Sequence, residues 1–130
     1  MTVNNIEEAI KYTLVNNSGV SAITTRCYPV TLPQNPAFPL ILYMRITGIP
    51  DNLLHGVSGL VYSRFQIEAW AVTYAEAKAL ATAIINALNA QTITIDTIRI
   101  GSIVAQSEHD VYEDVVKCHR TILDFTLWHT

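Results

Sequence analysis

The segment RFQIEAWAVTYAEAKALATAIINAL, residues 64–88, changes its hydrophobic period halfway along, and this change indicates the fold class. Up to Ala71, apolar side chains alternate with polar ones, which is typical of an antiparallel strand with one covered face. From Thr73 the apolar side chains recur every three or four positions, and Thr73 with Glu76 forms a capping box. The segment therefore predicts a strand that leads directly into an amphipathic helix. The apolar stripe of that helix consists of Ala77, Leu80, Ala81, Ile84 and Leu88.

The polar face of the predicted strand carries a mixed set of side chains. Either this face is an ordinary solvated one with cross-strand pairs, or it contacts another subunit. Trp, Tyr and Arg are enriched in interfaces, which supports the second interpretation. Trp128, on the same face, would enlarge it to an aromatic patch. The candidate interface residues on this strand are Arg64, Gln66, Glu68 and Trp70.

Before this segment, the sequence predicts a short helix and then a proline-rich arm. The helix covers residues 5–16, with Asn5 and Glu8 at its start and Gly19 in a left-handed position after its end. The arm, residues 28–39, is stiff and extended because each proline fixes its own φ and restricts the preceding residue. Two roles stay open for the arm: a strap across its own sheet, or a segment that docks on a neighbouring copy. Its four prolines are Pro29, Pro33, Pro36 and Pro39.

Two further segments read as loops. After an apolar strand that begins at Leu40, residues 48–60 combine glycine, proline, Asp and Asn, which predicts a long loop. Leu53 and Leu54 lie in its middle and are candidate interface residues, and the sequence leaves open whether this loop becomes ordered on assembly. Residues 105–117, AQSEHDVYEDVVK, predict an acidic loop.

The remaining C-terminal residues predict strands. Residues 91–104 contain one or two β-branched strands with a hairpin turn near Asp96, and residues 118–130 form a last strand. Helices and strands do not alternate as in parallel βαβ folds. We therefore expect one domain, residues 1–130, of the α+β class, with an antiparallel or mixed sheet and two main helices packed on one face.

Composition argues against several kinds of function. The net charge is −3 and no basic block is present, so direct nucleic-acid recognition is not expected. No apolar run approaches the ~20 residues that span a bilayer, and the N-terminus has no signal-peptide pattern, which favours the cytoplasm. Only 15% of the residues are charged, which hints that part of the surface is covered by assembly. Cys27 and Cys118 read as structural thiols.

No set of residues predicts a catalytic, cofactor or metal site. The spacing of the four histidines fits no zinc pattern, and the acidic segment lacks the glycine and the spacing of a calcium loop. Phosphate-binding loops, nucleophile elbows and metalloprotease motifs do not occur, so we do not expect an enzyme. The acidic segment is either a solvated loop or a docking surface for a basic partner. The histidines are His55, His109, His119 and His129, and the carboxylates are Glu108, Asp110, Glu113 and Asp114.

Three segments resemble the bacteriophage and prophage tail terminator, or tail completion, proteins. The string RCYPVTLPQNPAFPLILY is similar to the segment that leads into that family's sheet, although Cys27 stands where an aliphatic residue is more common. Residues 64–88 are similar to a second family pattern, a strand ending in Trp-Ala and a Thr-Tyr-x-Glu-Ala helix start. DFTLWH, residues 124–129, resembles a common Asp-Phe-x-x-Trp ending. The matching residues of the first segment are Arg26, Tyr28, Pro29, Leu32, Pro33, Gln34 and Pro39.

This resemblance implies a structural role without a cofactor or catalysis. Such proteins form a ring, typically a hexamer, on the end of the tail tube, where they stop its polymerisation and present a surface to head-completion proteins. The implied location is the tail of the virion, and the implied partners are copies of the chain, the tube protein and a head-completion or stopper protein. Two alternatives remain: another head–tail joining or minor tail component, and a small ligand-binding α+β domain.

Overall fold

The structure, a computed structural model, describes residues 3–53 and 56–130, and for residues 51–53 and 56–59 it gives the backbone alone. This part of the chain contains three helices and six strands. The helices are α1 (Ile6–Asn16), α2 (Ser18–Ser21) and α3 (Tyr74–Leu88). The strands are β1 (Cys27–Pro29), β2 (Leu40–Leu53), β3 (Gly56–Ala71), β4 (Ile93–Ile95), β5 (Ile98–Glu113) and β6 (Cys118–His129).

The strands form one mixed sheet in the order β1-β2-β3-β6-β5-β4. β1 is parallel to β2, and the other neighbouring pairs are antiparallel. The helices cover one face, which we call the inner face, and α3 contacts β3, β5 and β6 there. This architecture confirms the predicted α+β class, with a mixed sheet and its main helices on one face.

The inner face and the helices together enclose the main core. The alternation in β3 and β6 places Phe65, Ile67, Leu123 and Phe125 inward, where each is at most 1% exposed. They pack in one cluster with side chains of both long helices, which confirms the predicted facing of these strands. The helical members of that cluster include Ile6, Ala9, Ile10 and Leu14 of α1, and Leu80, Ala81, Ile84 and Leu88 of α3.

Side-chain caps fix the starts of both long helices where the sequence places them. The Asn5 side chain accepts from the Glu8 N–H at 2.9 Å, and the Thr73 hydroxyl accepts from the Glu76 N–H at 3.2 Å. Gly19 does not end α1 in a left-handed turn, so that prediction was wrong. Instead the Asn17 side chain caps a second short helix, α2, and Gly19 lies inside it.

The predicted loop at residues 48–60 is wrong for residues 48–53 and 56–60, because β2 and β3 occupy these residues as two paired strands, whereas residues 54 and 55 lie outside the described ones. Gly48 pairs with Ser63, Pro50 pairs with Val61 and Asn52 pairs with Val57. Bulges after Arg45 and after Pro50 absorb the irregular residues, and a bulge is one of the few places where a sheet tolerates proline. Because β6 pairs with β3 only as far as Val61, the hairpin projects beyond it.

The predicted acidic loop at residues 105–117 is also wrong over most of its length. β5 runs on to Glu113, which pairs with Cys118, and only residues 114–117 form a turn. β4 pairs only with Ile98–Ile100, so the rest of β5 lies along the edge of the sheet, where charged side chains are common. The predicted hairpin near Asp96 is confirmed: Ile95 pairs with Ile98 across it.

Candidate functional site

The outer face of the sheet carries five of the seven candidate interface residues, and the structure divides this face into three regions. Arg64, Gln66, Glu68 and Trp70 project from β3 on this face, and Trp128 lies on it because it pairs with Tyr62. Leu53 is the last residue of β2 and its side chain is not described, whereas Leu54 lies outside the described residues.

The first region is a buried charge network around Glu68, which is 1% exposed. The Trp70 indole N–H donates to Glu68 Oε1 at 3.0 Å, and Gln66 Nε2 donates to Oε2 at 2.5 Å. Arg120 lies 5.2 Å from the Trp70 ring centre and bonds to Glu68 Oε1 at 3.3 Å and to Glu113 Oε1 at 2.6 Å. In this chain, therefore, the carboxylate of Glu68 is fully engaged by its own neighbours.

The proline arm covers this end of the outer face. Phe38 stacks on Trp70 with ring centres 6.5 Å apart, and Leu32 joins the same apolar cluster. As a result Trp70 is only 6% exposed. The arm thus lies as a strap across its own sheet, which is one of the two roles that the sequence left open. The other members of the cluster are Tyr28, Leu40, Leu42, Met44 and Cys118.

Arg64 and Asp124 form the second, central region. Arg64 Nη2 lies 3.3 Å from Asp124 Oδ2, and the Ser107 hydroxyl donates to the same oxygen at 2.9 Å. The Arg64 side chain is 49% exposed, so it is the accessible charge at the middle of this face. Asp124 Oδ1 is buried and has no hydrogen-bond partner among the described residues.

The third region surrounds Trp128, which is 39% exposed and lies 4.9 Å from the Tyr62 ring centre. Trp70 is eight residues from Tyr62 along β3, about 26 Å at the usual strand rise. The two tryptophans share a face but do not form one patch. Beside Trp128 is an open concavity of about 390 Å³. Its lining residues are Leu60, Thr92, Thr94, Arg99, Ile100, Gly101, Trp128 and Thr130.

The turn between β5 and β6 is a surface feature that the sequence analysis missed. Val115 is 94% exposed and Val116 is 39% exposed at its tip. Lys117 adopts a left-handed φ of 53°, and this brings the chain back into β6. Two adjacent valines between Asp114 and Lys117 are the signal that could have identified an exposed apolar tip.

Glu108 and Asp110 of β5 are engaged on the inner face rather than free for a basic partner. Lys78 of α3 bonds to Glu108, and its Nζ lies 3.3 Å from Asp110 Oδ1. Tyr74 and Thr121 donate to Asp110, each at 2.9 Å. Burial raises the pKa of Asp110, but these hydrogen bonds and Lys78 outweigh it, so the net pKa is lowered. The bond to Glu108 raises the pKa of Lys78.

One buried pair has the geometry of a nucleophile and a base. Ser63 Oγ lies 2.7 Å from His129 Nε2, while His129 Nδ1 lies 3.1 Å from the Thr130 carbonyl oxygen. A carbonyl only accepts, so Nδ1 holds the proton and Ser63 donates to Nε2. Burial lowers the pKa of His129, which keeps the ring neutral. Because Ser63 is fully buried, a substrate cannot reach its hydroxyl, and the pair acts as a satisfied polar contact in the core.

Metal-binding clusters of His, Cys, Asp and Glu are absent from residues 3–53 and 56–130, and His55 lies outside them. Cys27 and Cys118 are both buried free thiols, and burial raises the pKa of Cys27 to about 12. None of the helices in the described ranges reaches the length and hydrophobicity that crossing a bilayer requires.

Comparison with solved structures gives the same fold in a phage-like particle. A chain from the virion of a native gene transfer agent particle superposes with a TM-score of 0.80, covering 95% of this chain and 93% of that one. The sequence identity is 17%, so this match concerns the fold alone. No curated protein matches the chain significantly.

Comparison with family models extends the likeness to the sequence. The family described as tail completion protein gp17 matches residues 8–130, which include all six strands, the whole of α3 and all but the first two residues of α1. The resemblance in the proline arm, the β3–α3 segment and the last strand is thereby confirmed. The chain belongs to the tail completion protein gp17 family and is a structural protein of the bacteriophage tail.

Proposed function

We propose that this protein assembles as a ring of six copies on the end of the tail tube, stops tube polymerisation and presents a surface to head-completion proteins. The family match over residues 8–130 carries this proposal. In this role residues 1–130 act as one domain, without catalysis and without a cofactor.

The surface of the chain supports assembly. Only 15% of the residues are charged, and apolar side chains stay exposed at both ends of the sheet. Those at the hairpin end include Ile49 at 58% and Trp128 at 39%, and at the other end Val115 is 94% exposed. Exposed apolar surface of this kind is typical of a protein that has partners. A ring requires two different patches to meet, and one patch at each end of a subunit meets that requirement.

Tail tubes assembled without this protein provide the test. We expect added protein to bind one end of each tube, to halt elongation at that end, and to contribute six copies, counted by mass measurement and electron microscopy. Tubes that continue to grow at the same rate with the protein present would exclude a terminating role.

A different head–tail joining or minor tail component is the second candidate. The matched gene transfer agent structure is described as a whole virion particle, without the position of the matching chain in it. The match is therefore equally compatible with a joining or minor tail component. Localising the protein on intact particles separates the two: a terminator lies between the tube end and the head-completion proteins, and a minor component lies elsewhere.

A further inference from the structure

Two apolar features are exposed on the described surface of the chain. One is the turn at residues 114–117, where Val115 and Val116 project at its tip. The other is the concavity beside Trp128, which is bounded by Ile100 and Gly101 of β5 and has Thr94 of β4 on its wall. Its volume of about 390 Å³ lies in the range of pockets that enclose small ligands, so it has room for two valine side chains.

These two features lie at opposite ends of the sheet. The turn leads directly into Cys118, the first residue of β6, and Trp128 lies ten residues further along the same strand. At about 3.3 Å per residue, the strand separates them by roughly 33 Å. A chain cannot fill its own concavity with its own turn, so only another copy can bring the two together.

The charges of the two features are complementary. Arg99 lines the concavity and its side chain is exposed, and none of the described carboxylates lies within ion-pair distance of it. Asp114, next to Val115, is likewise exposed and pairs with none of the described cations. Placing the turn of one copy in the concavity of another would bring the Asp114 carboxylate close to the Arg99 guanidinium.

We propose that the β5–β6 turn of one copy inserts Val115 and Val116 into the Trp128 concavity of the next copy, with Asp114 facing Arg99. This inference rests on the proposed ring and names the contact that builds it. The contact is heterologous, since one end of each subunit meets the opposite end of its neighbour. Heterologous contacts close into a ring when the rotation between subunits is suitable, and the tube end supplies a template for that rotation.

Cysteine cross-linking tests the contact directly. The native cysteines are buried, at 2% and 0% exposure, so an engineered exposed pair reacts without interference from them. In a Val115→Cys/Thr94→Cys variant, mild oxidation beside tail tubes is expected to give a ladder of multimers up to ring size, which a reducing agent dissolves. The matched control is Val115→Cys/Thr82→Cys, because Thr82 is exposed on α3 and does not line the concavity. We expect at most dimers from the control.

Charge exchange provides a second test that does not depend on oxidation. Asp114→Arg and Arg99→Asp each place like charges across the contact and are expected to weaken ring assembly about threefold. The double variant restores the opposite charges and should recover the native affinity.

Val115→Ser should weaken assembly about tenfold, because it removes one buried apolar side chain. Val104→Ser, at an exposed valine outside the concavity, should leave assembly unchanged.

The outcomes separate this inference from the function on which it rests. Suppose that native protein forms rings on tubes, but the cysteine variant gives no multimer ladder and the double charge variant does not recover the native affinity. The proposed contact is then wrong, whereas the proposed ring is not contradicted. If native protein never associates beside tubes, both are overturned. Unfolding curves of each variant establish that the substituted chains are folded.

Discussion

At the scale of single residues, the outer face is held together by carboxylates that the fold has withdrawn from solvent. Glu68 accepts from Trp70, Gln66 and Arg120 while it is 1% exposed. Withdrawing a carboxylate from water is costly unless charged and polar donors replace the solvent. The sequence placed Glu68 on the correct face but could not predict its burial, because its charged partner Arg120 is 52 positions away in the chain.

Substituting Glu68 should therefore destabilise the folded chain. Glu68→Gln keeps the shape but removes the charge that Arg120 faces, and we expect the free energy of unfolding to fall by about 1–3 kcal/mol. Urea denaturation measures this change. Glu76→Gln is the control, because Glu76 is exposed in the first turn of α3, and it should cost less than about 1 kcal/mol. Equal losses in the two variants would contradict the network.

His129 should make stability depend on pH. Burial lowers its pKa, and the nearby Arg45 lowers it further, against the Thr130 carbonyl and Glu7, which raise it. A folded-state pKa below the unfolded value of about 6.5 means that the stabilisation is complete above that pH and is lost as the pH falls through the folded-state pKa. We expect the free energy of unfolding to decrease between pH 7 and pH 5, and the decrease to be smaller in His129→Gln. An identical decrease in that variant would assign the effect to other groups.

At the scale of elements, local signals predicted the two long helices and the last strand but not the full lengths of β2, β3 and β5. Caps at Asn5 and Thr73 act within four residues, so α1 and α3 begin where the sequence indicates. Strand length depends instead on distant partners. Gly48 and Pro50 are residue types typical of loops, but in the structure they pair with β3. The charged residues of β5 likewise suggest a loop, but they pair with β6. The proline arm was predicted as extended, but its place against Trp70 depends on tertiary packing.

Substitutions in the arm distinguish the strap from a docking segment. A Pro33→Ala/Pro36→Ala variant gives the unfolded chain more conformational freedom. Each substitution at a compatible site should therefore lower the free energy of unfolding by about 0.4–1 kcal/mol. Since Phe38 and Leu32 pack on the chain's own sheet, we expect lower stability and unchanged ring affinity. Unchanged stability with weakened assembly would show instead that the arm docks on a neighbour.

At the scale of the whole molecule, the sequence predicted the layers and the family but not the geometry of the surface. The alternation of side chains along β3 and β6 predicts that Arg64 and Trp128 lie on the same face of the sheet, and the structure places both on the outer face. The concavity arises from residues of several strands, so no local pattern could reveal it. The interface role of the candidate residues remains a prediction.

The β2–β3 hairpin projects beyond β6, which pairs with β3 no further than Val61, so its end is open to a partner on that side. We expect amide hydrogen exchange in residues 48–60 to slow when the protein binds tube ends, because backbone ordered at a contact opens less often. The reference segment is α3, whose exchange should not change. A hairpin that exchanges at the same rate in both states does not belong to the contact with the tube.

The position of β6 in the middle of the sheet has a consequence for how the protein is made. β6 lies between β3 and β5, yet the ribosome synthesises it after the other five strands. Until residues 118–129 have left the exit tunnel, no strand pairing joins the β2–β3 hairpin to the β4–β5 hairpin. Nascent chains therefore carry incomplete sheets, so folding, and every association that needs a folded surface, is delayed until translation has passed β6.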